Sequence, residues 1–299
     1  MVQRHPPQSL PRRALSSVIE RSRSVVEETS RALSTPPLTP HLAMVRTPSV
    51  SGPVGAMGSV LSVATYNVHR WTGMNGRMAP DPERAMYVID ELDADVIALQ
   101  EVLRPTATAD PLEALCEDLG LHVVFAVTRL HRRGQLGNAI LSRFPIDAVS
   151  VLDISYSRIE RRGALAAQVQ NPGGAPITII ATHLSLVNRT RRRQVQSVLE
   201  HSQGQSGPAL VVGDMNAWRS CKATRKLDRE LDVERNKSWP ASFPATRPVL
   251  ALDRVYAHNA KVLELYSHDS AAARKASDHL PVIAHVQLDA APGSAGSSR

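Results

Sequence analysis

The chain has 299 residues, of which 42% are hydrophobic and 21% are charged, and its formal net charge is +7 at pH 7. This composition is typical of a soluble globular protein with a sizeable core and argues against a chain that is disordered throughout. No stretch approaches the roughly 20 apolar residues of a membrane-spanning helix, and the excess positive charge favours polyanionic partners such as nucleic acid or an anionic lipid surface.

Residues 1–58 differ in composition from the rest of the chain. They are rich in Pro, Ser and Arg and end in Gly52, Gly55 and Gly58. Such a segment buries little apolar surface, which is typical of a flexible linker or a solvated tail. A short amphipathic helix over 15–33 and an arm that binds nucleic acid or membrane are alternatives. We predict a flexible extension over 1–58, a folded domain over 59–290 and a disordered tail over 291–299.

From Val60 onward, short apolar runs rich in β-branched residues alternate with polar turns. Runs of this kind predict strands, and three longer amphipathic segments predict helices. Strands outnumber helices, and several loops are too short for helical crossovers, so we predict mixed, largely antiparallel sheets with helices outside. The predicted strands are Val60–Tyr66, Val96–Leu99, His122–Val127, Asn138–Leu141, Ala164–Val169, Ile177–Thr182, Ala209–Gly213, Val255–Ala257 and Val282–Val286; the predicted helices are Pro82–Leu92, Pro111–Leu119 and Asn188–His201.

Polar residues recur where these predicted strands end. Taken singly, each is an ordinary turn residue, because Asp and Asn side chains bond nearby backbone groups. As a set they combine carboxylates and amides, which suit a hard cation such as Mg²⁺, with imidazoles. An acid, a histidine and a metal together are what attack on a phosphate requires. The set comprises Asn67, Glu101, His183, Asp214, Asn216, Asp253, Asp278 and His279.

In this order, the residues resemble the signature of the endonuclease/exonuclease/phosphatase (DNase-I-like) superfamily. The most specific elements are Gly-Asp-Met-Asn at 213–216 and Ser-Asp-His-Leu-Pro at 277–281. The resemblance covers about residues 60–288 and is to compact bacterial members, so the folded domain is expected to be the catalytic domain. It implies an α/β (α+β) fold, a four-layered α/β/β/α sandwich whose site lies at the rim where the two sheets meet.

The resemblance also implies roles for individual residues. Glu101 would be the main ligand of Mg²⁺ or Mn²⁺, assisted by Asn67 and Asp278. Asp214, helped by Asn216, would orient or deprotonate the attacking water. His279, held by Asp253, would bind non-bridging phosphate oxygens together with His183. Whether the aspartate or the histidine is the general base stays open.

Three further residues are candidates for contact with the substrate phosphate. Asn138 lies in the glycine-containing segment 134–143, and Arg161 and Arg162 precede the strand that begins at Ala164. An arginine at such a position can hold a phosphate with two hydrogen bonds, although a solvated turn charge is an equal alternative. The basic run of Arg189 and 191–193 is either a polyanion contact or an exposed helix face.

The sequence therefore predicts a divalent-metal-dependent phosphoester hydrolase, with a preference for phosphodiesters of nucleic acid, of phospholipid or of a small molecule. The alternative is a non-catalytic protein of the same fold that binds polyanions such as nucleic acid or anionic lipid. A hydrolase of unrelated fold with a Ser nucleophile is disfavoured because no Gly-X-Ser-X-Gly motif is present. We expect a monomer in the cytoplasm, since no secretory signal is evident.

Overall fold

The computed structural model describes residues 39–50, 57–156, 160–172, 174–232 and 238–288. The helix considered over 15–33 and the tail over 291–299 lie outside these ranges, as does most of the predicted extension. None of the helices within the described ranges is long and apolar enough to cross a membrane. The strands are β1 (His41–Arg46), β2 (Val60–Asn67), β3 (Val96–Pro105), β4 (His122–His131), β5 (Gly134–Ser142), β6 (Ile146–Asp153), β7 (Gly163–Val169), β8 (Ile177–His183), β9 (Ala209–Asp214), β10 (Asp253–His258), β11 (Ala260–Ser267) and β12 (Val282–Leu288).

The helices lie between these strands and outside the sheets. A single 3-10 turn, His69–Trp71, follows β2 directly. Two of the three predicted helices have the predicted ends, the third ends two residues later than predicted, and two further helices were not predicted. The helices are α1 (Pro82–Leu92), α2 (Pro111–Leu119), α3 (Asn188–Gln203), α4 (Lys222–Glu230) and α5 (Ala273–Ala276).

The strands form two mixed sheets. The larger has the order β1-β4-β5-β3-β2-β12-β11, and the smaller has the order β10-β9-β8-β7-β6. Only β2 with β3 and β8 with β9 are parallel among the described pairs, and the others are antiparallel. The prediction of two mixed, mostly antiparallel sheets is confirmed.

Apolar side chains along the strands face alternately to the two sides of a sheet, which explains why the two sheets pack against each other. In β8, Ile177, Ile179 and Ala181 belong to the core between the two sheets, whereas Ile180 belongs to the core under the helices. Successive side chains of a strand point to opposite faces, so an apolar run of this length is buried on both sides. The second core includes Val195 of α3, which places that helix on the outer face of the smaller sheet.

The strands that the sequence did not predict are β1, β6 and β11, and each is the edge strand of a sheet. An edge strand exposes part of its surface, so its apolar pattern is weaker than that of a central strand. Strand β1 corrects the predicted flexible extension over 1–58, because His41–Arg46 pairs with β4 and buries Met44. The segments on both sides of β1 are rich in Pro and Ser, which is typical of a linker, so the sequence does not indicate a strand there.

Candidate active site

Three polar residues lie side by side at one edge of the smaller sheet. His183 ends β8, Asp214 ends β9, and Asp253 begins β10; in the strand ladders His183 is paired with Asp214 and Asp214 with Asp253. Strands β8 and β9 are parallel and β10 is antiparallel to β9, so the pairing brings the three residues to the same edge. Neighbouring strands are about 4.8 Å apart. All three side chains are buried.

The larger sheet contributes Asn67 and Glu101. Asn67, predicted to follow its strand directly, is the last residue of β2, whereas Glu101 does not lie at the end of its strand. Strand β3 continues to Pro105, and the pairing register shifts between Leu99 and Val102. Glu101 has φ +52° at this bulge. Because a β-bulge bends its strand and redirects a side chain, the bulge accounts for a partly exposed Glu101 carboxylate in the middle of a buried strand.

His279 is held by a carboxylate at its back. Its Nδ1 lies 2.8 Å from Oδ2 of Asp253, and the Ser242 hydroxyl donates to the same oxygen at 2.6 Å. This contact fixes the proton on Nδ1, and Nε2 then lies 3.9 Å from Oδ2 of Asp214. Burial opposes a charge on His279, but the carboxylates of Asp253, Asp214 and Asp278 together outweigh it and raise the pKa of the imidazole to about 10. The ring is therefore an imidazolium at neutral pH.

Asp214 is the centre of the buried network. Its Oδ1 accepts the backbone N–H of Asn216 at 2.8 Å, and its Oδ2 accepts the Asn67 amide at 3.3 Å. The same Oδ2 lies 3.4 Å from Nε2 of His183. Burial raises the pKa of the Asp214 carboxyl above its ordinary value, although His279 opposes this shift. A carboxylate surrounded by directed donors in this way has a fixed orientation.

His183 differs from His279 in its charge. Burial lowers the pKa of His183 well below its ordinary value, and the nearby guanidinium of Arg162 lowers it further. The site therefore combines one charged and one neutral imidazole, both within 4 Å of the Asp214 carboxylate. The imidazolium and the neutral imidazole can each donate a hydrogen bond to an anion. The neutral ring also keeps one unprotonated nitrogen, which can accept a proton.

The three predicted metal ligands lie around His69. Its backbone N–H donates to Oδ1 of Asn67 at 3.0 Å, and its Nδ1 lies 3.1 Å from Oδ1 of Asp278. Burial opposes the charge on Glu101, but the basic groups around it, with Arg70 and Arg162 as the guanidinium cations, together outweigh it and lower the pKa of that carboxyl to about 2. Two carboxylates and an amide oxygen are the donors that Mg²⁺ and Mn²⁺ prefer, so this set fits the implied cation.

A second group of potential metal ligands lies in the same site, and its ligand atoms are close together. Among the described residues, only Asp214, Asp253 and His279 form a group of three His, Cys, Asp or Glu residues close enough to hold an ion, with ligand atoms within 4.8 Å of one another. Hydrogen bonds account for this closeness, because Oδ2 of Asp253 is already bound to both His279 and Ser242. The predicted role of Asp253 as the partner of His279 is compatible with this arrangement.

Sequence reasoning missed His69, Arg70 and Ser242. His69, Arg70 and Trp71 have φ values of +45°, +58° and +62°, a left-handed turn of three non-glycine residues. The buried indole of Trp71 anchors the turn by donating to the Leu103 carbonyl at 2.7 Å. The turn places Nε of Arg70 3.4 Å from Oε2 of Glu101. The one indication of His69 and Arg70 in the sequence is their position, since Val-His-Arg-Trp directly follows the predicted site residue Asn67.

A small polar cavity extends from His183 and Glu101 towards the β4–β5 hairpin. Asn138 and Arg162, two of the three predicted phosphate contacts, line it together with Arg129. Arg161 does not line it and lies 3.8 Å from Asp153 instead. Arg162 is bound to Glu160 at 3.0 Å, which fixes its guanidinium near the cavity wall. The cavity therefore has the guanidinium groups of Arg129 and Arg162 beside the Glu101 carboxylate.

Two stacked mixed sheets with acidic and imidazole side chains gathered at one rim define the class of protein. The sequence matches the model of the Endonuclease/Exonuclease/phosphatase family over residues 64–279. The chain belongs to this family. Members of the family include nucleases, phosphodiesterases and phosphatases.

Individual relatives agree with this assignment. The uncharacterized protein YbhP of Escherichia coli K12 is 30% identical over 247 residues, which cover 76% of this chain and 96% of YbhP. The endonuclease/exonuclease/phosphatase of Beutenbergia cavernae has a TM-score of 0.61 and 24% identity, covering 77% of this chain and 72% of its own. TDP2 of D. rerio, complexed with a single-strand DNA product, has a TM-score of 0.56 and 15% identity, covering 77% and 99%.

Proposed function

We propose that this chain is a divalent-metal-dependent phosphodiesterase that hydrolyses its substrate by direct attack of water on phosphorus. The observation that carries the proposal is the position of the Asp214 carboxylate, within 4 Å of the imidazoles of both His183 and His279. A binding protein has no need of two imidazoles in different charge states around one buried carboxylate. A hydrolase needs them to stabilise charge and to move a proton.

In this proposal, His279 stabilises the negative charge that develops on the phosphate. Its Nδ1 is committed to Asp253, so only Nε2 faces the site and can donate to a non-bridging oxygen. His183 lies on the other side of Asp214 and donates to a second oxygen of the same phosphate. Donors that are already oriented before the reaction stabilise the transition state more than the ground state.

Asp214 orients and deprotonates the attacking water in this proposal. The Asn216 backbone N–H fixes one of its oxygens, and the Asn216 side chain donates to the Leu184 carbonyl at 2.9 Å, which ties the two loops of the site together. Burial makes this carboxylate a stronger base than an exposed aspartate, and the hydrogen-bond donors around it fix its direction. The general base is therefore held in a fixed position relative to the attacking water, which favours its deprotonation.

Glu101, Asn67 and Asp278 would hold the cation. When bound there, Mg²⁺ or Mn²⁺ would supply positive charge to the phosphate oxygens and reduce the charge of the leaving group. The protein's own contribution is the bulge that turns the Glu101 carboxylate out of β3. Arg70 is an ion-pair partner of that carboxylate, since its Nε lies 3.4 Å from Oε2.

Two features support a phosphodiester over a monoester. His183 lines the cavity and also contacts Asp214, so a phosphate held at His183 has space on the cavity side for a second ester group. Arg162 and Arg129 in that cavity can bind a neighbouring anionic group of the substrate.

The second candidate function is non-catalytic binding of a polyanion, which the net charge of +7 favours. A substrate panel separates the two. Purified protein is incubated with Mg²⁺ or Mn²⁺ and with plasmid DNA, RNA, phospholipids, sphingomyelin and soluble mono- and diester reporters. The proposal expects turnover of at least one diester that EDTA abolishes. Salt-sensitive binding of a polyanion without turnover of any ester would favour the binding function.

A further inference from the structure

The two loops that follow the catalytic strands expose large apolar side chains. Leu186 and Val187 come after His183 and are 59% and 56% exposed, and Trp218 comes after Asn216 and is 64% exposed. Single exposed apolar residues are ordinary on protein surfaces, but several together beside a site indicate a contact surface. The residues follow functional positions directly, so the surface they form borders the active site.

The two loops are joined by contacts. The buried guanidinium of Arg191 donates to the Ser185 carbonyl at 2.8 Å and also to the Asn216 carbonyl. The arginines of the run 191–193 therefore differ in their surroundings. Arg191 is buried and joins the two loops, whereas Arg192 and Arg193 are exposed. Leu186, Val187 and Trp218 thus lie on neighbouring loops, and we name them the apolar rim.

A groove between α3 and α4 lies beside the apolar rim. Both helices begin shortly after the rim loops, α3 at Asn188 and α4 at Lys222. The cations of α4 recur at helical spacing along one face for about 10 Å. Among the described residues, no carboxylate lines the groove. We name it the basic groove, and its cations are Arg192, Lys222, Arg225, Lys226 and Arg229.

We propose that the apolar rim and the basic groove together dock the protein on a bilayer that contains anionic phospholipid. Clustered Lys and Arg residues attract anionic headgroups, and Trp and Leu side chains enter the boundary between headgroups and acyl chains. A nucleic-acid surface would gain little from the exposed aliphatic side chains of Leu186 and Val187, because its affinity comes from phosphate contacts and, for single strands, from base stacking. The observations therefore favour lipid over nucleic acid.

Docking in this orientation would hold the active site at the membrane surface, since the rim loops are also the loops of His183 and Asn216. If the proposed hydrolase function is correct, the substrate is then a phosphodiester carried by a membrane lipid. The docking itself does not depend on hydrolysis. It can therefore be measured with EDTA present, which removes the cation and prevents any metal bridge between protein and headgroups.

The first test measures binding of the full chain to sedimented vesicles in EDTA. Vesicles of phosphatidylcholine alone are compared with vesicles that also contain phosphatidylglycerol. We expect binding to the anionic vesicles, with Trp218→Ala weakening it roughly tenfold or more, the loss expected for one buried large side chain. Quenching by brominated lipid should reach Trp218 and spare the buried Trp71. Unchanged binding by Trp218→Ala would overturn the proposal.

The second test reverses charge in the basic groove. Lys222→Glu with Arg225→Glu should weaken anionic-vesicle binding by roughly tenfold or more, because each cation near the surface contributes about a fivefold effect. Lys261→Glu with Arg46→Glu is the control, since it makes the same charge change on the larger sheet. Turnover of a soluble diester should stay unchanged in both variants, so a failure of docking is separate from a failure of catalysis. Equal losses in both variants, or tight DNA binding without vesicle binding, would overturn the proposal.

Discussion

Asp253 and His279 form the closest carboxylate–imidazole contact of the site, with 2.8 Å between Oδ2 and Nδ1 and both side chains buried. Ser242 donates to the same carboxylate oxygen at 2.6 Å. The carboxylate therefore has one orientation, and it imposes one tautomer on the imidazole. The catalytic role proposed for His279 depends on this relationship, which leads to the first prediction.

Asp253→Asn should lower kcat by roughly 10²- to 10⁴-fold, because an amide removes the charge behind His279 and permits the wrong tautomer. KM and the thermal midpoint should change little, since the amide has the same shape. Ser242→Ala is the matched control, because it keeps the carboxylate, and it should cost only about tenfold. A kcat in Asp253→Asn close to wild type would remove Asp253 from the mechanism.

Glu101→Gln should weaken binding of Mn²⁺ by roughly 10- to 100-fold, since it removes a charged ligand and leaves the fold intact. Isothermal titration with Mn²⁺ measures this without any need for a substrate. Glu117→Gln, an exposed glutamate on α2, is the control and should bind like wild type. Equal Mn²⁺ affinity in both variants would place the cation elsewhere, with the Asp214, Asp253 and His279 group as the next candidate.

Gly213→Ala should be strongly destabilising, because a Cβ at Gly213 would lie 1.9 Å from the Thr182 carbonyl oxygen, and φ is +142° there. The clash is with the backbone of β8, so either the strands separate or the register of Asp214 changes. We expect a loss of about 3 kcal/mol or more in the free energy of unfolding. Gly120→Ala, with φ +65° and open space around it, should cost only about 1–2 kcal/mol. Denaturant titrations of the two variants give the comparison.

Truncation separates the two parts of the N-terminal segment. Removal of residues 1–38 should leave the thermal midpoint unchanged, because a segment of this Pro-, Ser- and Arg-rich composition buries little apolar surface. Removal of 1–50 also removes β1 and its buried Met44, which should cost about 2 kcal/mol and lower the midpoint by roughly 4–8 °C. Differential scanning calorimetry measures both. Equal midpoints for the two truncations would mean that β1 adds no stability.

The residues that end central strands could be predicted from the sequence. His183 and Asp214 follow buried apolar runs, and the parallel pairing of β8 with β9 brings such ends together. Glu101 was identified as a site residue, but the bulge that exposes it could not be predicted, because it depends on the pairing of β3 with β5. The left-handed turn at His69 could not be predicted from the sequence either, because tertiary contacts such as the hydrogen bond of the Trp71 indole stabilise it.

Edge strands were the weak point of the fold prediction. Strand β6 alternates between partly buried and exposed residues, and β11 exposes most of its length. Their side chains meet solvent on one face, so apolar content alone does not distinguish them from loops. The basic groove could not be predicted either, because its cations come from two helices that meet only in the folded chain.

The role of Asp214 in metal-dependent phosphodiester hydrolysis can be measured with a soluble substrate. The turnover of a soluble phosphodiester reporter is compared with Mg²⁺ or Mn²⁺ and with EDTA, for the wild type and for Asp214→Asn. We expect turnover in the wild type that EDTA abolishes, and a loss of roughly 10³-fold or more in Asp214→Asn without a change in thermal midpoint. Turnover that persists in EDTA, or that Asp214→Asn retains, would contradict it.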